Sequence, residues 1–119
     1  ILLTGGSFKF PTLSTSGDKA AGFFENVLAQ KLFLATPCIS PRHGLSFPSE
    51  TDIKLKTAMI NAANTVYVVA DSSKIDKVSM FALPCDWQHI DYLITDDGIS
   101  NTAIQAFEKV GVKVLVAGA

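Results

Sequence analysis

The residues best suited to chemistry stand in one stretch, Asp71-Ser72-Ser73-Lys74. They follow five residues, Val-Tyr-Val-Val-Ala at 66–70, that carry no charge. An apolar run of that length reads as a central strand of a parallel sheet, buried on both faces. Open α/β sheets hold their ligands beyond the C-terminal ends of such strands. A lysine placed there offers an anion a compact, mobile cation, with the neighbouring carboxylate and hydroxyls beside it. The same residues also have an ordinary structural use. Asp71 or Ser72 can cap the next helix, and most lysines in loops are solvated.

Other residues could contribute. Gly5-Gly6 follows the apolar segment 1–4, and glycines allow positive φ and close backbone approach to a ligand. A tight turn needs the same residues. Glu50 and Asp52 are carboxylates of the type that a proton-transfer step requires, but both also suit the positive start of a helix. Arg42 and His43 could meet an anion or lie exposed on a loop tip. Cys38 is a potential nucleophile or a small buried thiol. His43 and His89 are far apart, and neither Cys38 nor Cys85 has a Cys-x-x-Cys partner, so no zinc site is expected. There is no Gly-x-Gly-x-x-Gly, no Gly-Lys-Ser/Thr loop and no nucleophile elbow. No cofactor is implied.

These residues sit in a chain of 119, enough for one domain with a real core. Hydrophobic residues make up 48% and the net charge is −1. That composition excludes a disordered tail and gives no basic footprint for nucleic acid. Two cysteines do not make a disulfide framework, and reduced thiols are expected. No apolar run is long enough to span a bilayer. The chain opens on Ile1 within an apolar segment, which reads as a fragment whose N-terminus lies upstream.

The spacing predicts strands at 1–4, 32–35, 66–70, 90–95 and 112–117. Helices are expected at 18–30, 50–64 and from Ser100 or Asn101 to Val110, with Gly111 just beyond the last. Ala20, Phe24, Val27 and Leu28 should share the buried side of the first helix. Leu55, Met59, Ile60 and Ala63 should do so in the second, and Ala103, Ile104, Phe107 and Val110 in the third. Ser49-Glu50-Thr51-Asp52 resembles a capping box. Residues 8–17 and 36–46 read as loops, and 79–88 has no clear period. Strand and helix in alternation predict an α/β domain, a mainly parallel sheet with helices on both faces.

Taken together, Leu3-Thr4-Gly5-Gly6, Gly17, Phe33-Leu34, Gly44-Leu45-Ser46, Asp52 through Lys56 to Met59-Ile60, Ala70-Asp71-Ser72-Ser73-Lys74 and Ile94-Thr95-Asp96 resemble one family. They look like the effector domain of DeoR-type bacterial transcription repressors, over nearly the whole chain and in order. The resemblance implies a Rossmann-like three-layer fold similar to ribose-5-phosphate isomerase and glucosamine-6-phosphate deaminase, an isomerase/CoA-transferase-like architecture. It implies a cytoplasmic, non-enzymatic domain that binds a phosphorylated sugar or related metabolite. DNA would be bound only by an N-terminal winged helix-turn-helix, and the protein would be a homo-oligomer. The winged domain and the first strand or strands, with their phosphate loop, are missing from residues 1–119. By the same resemblance the effector would meet Gly5, Gly6, Ser40, Asp52, Asp71, Ser73 and Lys74. Cys38-Ile39-Ser40 stands where the family often has Gly-Ile-Asp, so a hydroxyl replaces an acid that the isomerase relatives use in catalysis. The alternatives are a sugar-phosphate isomerase or deaminase fragment, with Asp52 or Glu50 as base, and an oligomerising scaffold with a degenerate pocket.

Overall fold

The computed structural model describes residues 1–84 and 86–118. Strands β1 (Ser7–Lys9) and β2 (Ser14–Ser16) form an antiparallel hairpin, followed by helix α1 (Asp18–Gly22) and a 3₁₀ turn over Phe23–Asn26. Next come β3 (Ala29–Ala35), β4 (Cys38–Ser40), β5 (Gly44–Phe47), α2 (Glu50–Ala62) and β6 (Ala63–Val69). A 3₁₀ turn at Ser72–Lys74, β7 (Phe81–Ala82) and a second such turn at Trp87–His89 lead to β8 (Tyr92–Asp96). Helix α3 (Asn101–Lys109) and β9 (Lys113–Ala117) follow.

The chain is α/β. Strands β3, β6, β8 and β9 pair in that order as a four-stranded parallel sheet, and β4, β5 and β7 form a small antiparallel sheet. The parallel order advances in one direction only. Right-handed crossovers that always step the same way leave their helices on the same side of the sheet; covering the second side requires the order to reverse. The burial follows that rule. Val66, Val68 and Ala70 of the central run are buried, with Leu34, Leu93, Phe107 of α3 and Ile60 of α2 in one core cluster. Ile39, Leu45 and Phe47 of the small sheet close the same cluster.

The other face is open. Phe33, Tyr67 and Tyr92 are cross-strand neighbours there, stacked with ring centroids 5.0 and 4.7 Å apart. Those separations match the spacing between strands. Phe33 is 61% exposed and Val69 40%. The run at 66–70 is therefore buried on one face, not on both, and the expected second helical layer is not found among the described residues.

Several local expectations need correction. Residues 1–4 are apolar but pair with no strand, and Ile1, Leu2 and Leu3 are exposed. The segment 8–17 is largely hairpin rather than loop, and 36–46 contains β4 and much of β5, held by Ile39 opposite Leu45. Turn residues Pro41 and Gly44 hide that pairing from a composition reading. The helix expected at 18–30 stops at Gly22, and Leu28 is exposed. Ala29 is already paired with Ala63 in the parallel ladder, so tertiary pairing overrides helical spacing. Ser49 stands at the start of α2 without its side chain capping an N–H; its Oγ shares a hydrogen bond with Thr51 Oγ1 instead, at 2.9 Å. Ser100 does cap α3, accepting from the Ala103 N–H at 3.1 Å. Cys38 is a free, half-buried thiol, and the expectation for Cys85 lies outside the described residues.

Phe107 is fully buried and packs edge-to-face on Trp87, joining α3 to the chain ahead of β8. Phe107→Ala should lose about 3–5 kcal/mol of unfolding free energy, a large share of a small domain's stability. Urea denaturation of both chains measures it; a loss below about 1 kcal/mol, within the range of surface substitutions, would show that α3 is not anchored through this ring.

Candidate functional site

Two carboxylates shape the turn after β6. Asp71 precedes the 3₁₀ turn as its cap: its Oδ1 accepts from the Ser73 N–H at 2.9 Å and from the Ser73 hydroxyl. Its Oδ2 lies 3.2 Å from Lys74 Nζ. Asp96, at the end of the neighbouring β8, reaches across. Its Oδ2 accepts from the Ser72 N–H at 2.9 Å and its Oδ1 from the Gly98 N–H at 2.8 Å. A Cβ on Gly98 would collide with Ser72 Oγ and come within 2.8 Å of Asp96 Oδ1. Only a glycine leaves the two strand ends this close.

The hydrogen bonds hold both carboxyls below the usual carboxylate range. For Asp71 the Ser73 hydroxyl contributes most, then Lys74 and the Ser73 N–H; for Asp96 the Ser72 N–H contributes most, then the Ser72 hydroxyl and the Gly98 N–H. Lys74 donates to Asp71 and, at 3.3 Å, to Ser73 Oγ. Its side chain keeps 38% of its accessible surface. An exposed ion pair of this kind contributes little to stability, which leaves the ammonium free to exchange partners.

Asp71, Ser73 and Lys74 thus share one turn. Ser40 comes close to its far end: Ile39 bridges Ile75, and the Asp76 N–H donates to the Ile39 carbonyl at 2.8 Å. The Ser40 hydroxyl itself is buried and accepts from the His43 N–H at 2.9 Å. No hydrogen bond or ion pair among the described residues joins Gly5, Gly6 or Asp52 to the turn. Gly6 has φ +102, and a Cβ on it would stand 2.6 Å from the Ser16 carbonyl oxygen. Packing of the first hairpin accounts for that glycine. Asp52 lies 3.8 Å from Lys9 Nζ. A concavity of about 640 Å³ between α2 and β7, lined by Ile53, Lys54, Met80, Phe81 and Pro84 among others, does not include the turn. Among the described residues no group of three His, Cys, Asp or Glu side chains is placed to hold a metal ion.

Comparison with known proteins gives the chain a family. The profile of the DeoR C terminal sensor domain matches residues 1–97, which include both the Asp71–Lys74 turn and Asp96. The chain belongs to this family. The sensor domain is 33% identical over 118 residues to a protein named as the aga operon transcriptional repressor of Escherichia coli O157:H7, covering 99% of the chain and 44% of that relative. It is 32% identical over 115 residues to the HTH-type transcriptional regulator GlpR of Haloferax volcanii, covering 97% and 45%. With the HTH-type transcriptional regulator YgbI of Escherichia coli K12 it shares 31% identity, over 98% of the chain and 45% of the relative. The chain spans less than half the length of these relatives.

Asp96 was quoted in the resemblance but not counted as a site residue. The signal was available: a carboxylate at the end of a neighbouring parallel strand can only face the same end of the sheet as Asp71. Acid should undo its work first. Each of these carboxyls binds fewer protons folded than unfolded. Its contribution is therefore complete above the ordinary carboxylate pKa, about 4, and is lost as pH falls toward the depressed folded value. Amide exchange at Ser72, Ser73 and Gly98 should accelerate, beyond its intrinsic pH dependence, as pH is lowered through that window. Asp96→Asn should abolish that dependence at Ser72 and Gly98 and leave it at Ser73. An unchanged acid profile in the variant would mean that Asp96 does not hold the turn.

Proposed function

We propose that the sensor domain binds a phosphorylated sugar or related metabolite at the turn of Asp71, Ser73 and Lys74, with Ser40 at its edge. The carrying observation is a half-exposed cation on a polar turn, at the C-terminal end of a central parallel strand, whose contacts are the exposed Asp71 carboxylate and the Ser73 hydroxyl. Binding would shift the population between states of a larger regulator that differ in affinity for DNA. DNA itself would be held by a separate N-terminal domain, a winged helix-turn-helix by the resemblance. The net charge of −1 offers the phosphate backbone little. We assign no catalytic step; the curated relatives are named as regulators. A cytoplasmic location accords with that role, and no helix among the described residues is long and apolar enough to cross a membrane.

The three-layer, isomerase-like architecture belongs to this proposal. It would be reached if further strands of the whole protein add to the free edge of β3 and reverse the strand order, bringing helices onto the Phe33–Tyr67–Tyr92 face. The whole regulator would be a homo-oligomer. Alone, residues 1–119 leave that face and edge available, and such surfaces seek partners. Light scattering on a dilution series should show concentration-dependent association; a monomer at every concentration would count against it.

Lys74→Ala, made in the full-length regulator, should weaken effector binding about ten- to a hundred-fold, the range of one charge-assisted contact. Repression and melting temperature should hold, since the lysine is half exposed. Calorimetric titration with a panel of sugar phosphates reads the affinity. Equal affinity in the variant would sink the assignment of Lys74, and a large fall in melting temperature would make it structural.

A further inference from the structure

Hairpin β1–β2 stands beside the start of α2 with its apolar residues outward. Lys9 turns toward its own chain, donating to Thr51 Oγ1 at 3.2 Å and lying 3.8 Å from Asp52 Oδ1. Phe8 and Phe10, on either side of it in the chain, do the opposite. Their rings pack edge-to-face 5.1 Å apart and both are exposed, Phe10 to 80%. Leu13, in the connection to β2, is exposed as well and holds a left-handed backbone, φ 53, which residues with a Cβ rarely adopt. A hairpin on the surface of a lone chain keeps its apolar side against the protein. Here a lysine takes the inner side and the phenylalanines the outer.

A second side of α2 is also uncovered. The concavity of about 640 Å³ between α2 and β7 is lined by Ile53, Thr57 and Ala58 of the helix and by Met80, Phe81 and Pro84. Met80 at its wall is 83% exposed. The volume lies in the range of pockets that enclose largely apolar ligands, about 300–1,000 Å³. We infer that this groove seats hairpin β1–β2 of a second copy of the chain, with Phe10 against Met80 and Phe81. Hairpin and groove border one helix, so a twofold axis lets each copy give a hairpin and receive one. The area is sufficient. Phe8, Phe10 and Leu13 together expose about 400 Å², taking about 200 Å² for a whole side chain of this size. Two hairpins and the grooves that cover them then bury about 1,600 Å², the size of a stable interface. This rests on the reading of the whole regulator as a homo-oligomer, and uses a surface separate from the β3 edge and the Phe33–Tyr67–Tyr92 face.

The test uses the full-length regulator, diluted in steps and followed by light scattering. Phe10→Asp and Met80→Asp should each raise the dissociation constant about tenfold or more. The melting temperature of the diluted monomer should not change in either, since both side chains are exposed. Phe10→Asp combined with Met80→Lys should recover part of the lost association, because each seat then pairs a carboxylate with an ammonium. A regulator that is monomeric at every concentration overturns both this inference and the homo-oligomer reading. Undiminished association of the two Asp variants overturns this inference and leaves that reading standing. A lower melting temperature in the diluted Phe10→Asp monomer also overturns it, since the hairpin would then be covered by its own chain. Loss in both single variants without recovery in the paired one overturns the seating of hairpin in groove.

Discussion

The single direction of the strand order governs this domain. β6 lies between β3 and β8 and shares parallel ladders with both, so its backbone is satisfied on either side. Because every step of the sheet goes the same way, helical cover collects on one face. Val66, Val68, Leu34, Leu93 and Phe107 are buried as a consequence, and Phe33, Tyr67 and Tyr92 are left as a stacked row on the other face. The open face is not a packing failure of individual residues. It is what a parallel sheet whose order runs one way presents.

That constraint also aligns the strand ends. Asp91 and Asp96 mark the two ends of β8. Asp91 accepts from the Val66 N–H at 2.8 Å through its side chain, while its own N–H donates to the Val66 carbonyl at 3.1 Å. At the opposite end Asp96 holds Ser72. The register of β6 against β8 is thus pinned at both ends by carboxylates accepting backbone N–H bonds, contacts stronger than neutral ones. The Asp71–Lys74 turn inherits its position from that clamp. A half-exposed lysine on a turn held in this way suits the proposed exchangeable partner: a ligand would compete with the exposed Asp71 carboxylate and the Ser73 hydroxyl for the ammonium.

Much of this was legible in the residues. The apolar run before Asp71 marked the central strand, Ser100 marked the start of α3, and alternation of the two kinds of element marked an α/β chain. What stayed hidden depended on distant pairing. Nothing local in Ala29-Gln30 shows that Ala63 lies opposite, so helical spacing ran on past Gly22. Proline and glycine in 36–46 concealed a hairpin closed by Ile39 and Leu45. An uninterrupted apolar run does not say how many faces are covered, and Val69 shows that here it is one. At the site, Asp71, Ser73 and Lys74 could be grouped because they are adjacent. Asp96 needed the sheet order, which alone brings the end of β8 beside the turn.

A sensor must connect its ligand to something that can move, and the contacts around the turn limit what that is. On one side the turn is tied to β8 of the parallel sheet through Asp96. On the other it continues through the Ile39–Ile75 bridge into the small antiparallel sheet, which is itself only three short strands. Ser46 of β5 adds one more tie, accepting from the Ser79 N–H at 2.8 Å. A ligand held by Lys74, as proposed, would therefore sit between the parallel sheet and the small antiparallel sheet, whose Ile39, Leu45 and Phe47 belong to the same core. Any differential affinity that drives a population shift has to arise where the two states differ, and the small sheet is the element to which the far end of the turn is joined by backbone contacts. The proposed binding turn and the small sheet are joined by backbone contacts such as the Asp76 N–H donating to the Ile39 carbonyl, so a ligand that prefers one arrangement of the turn would be felt there first.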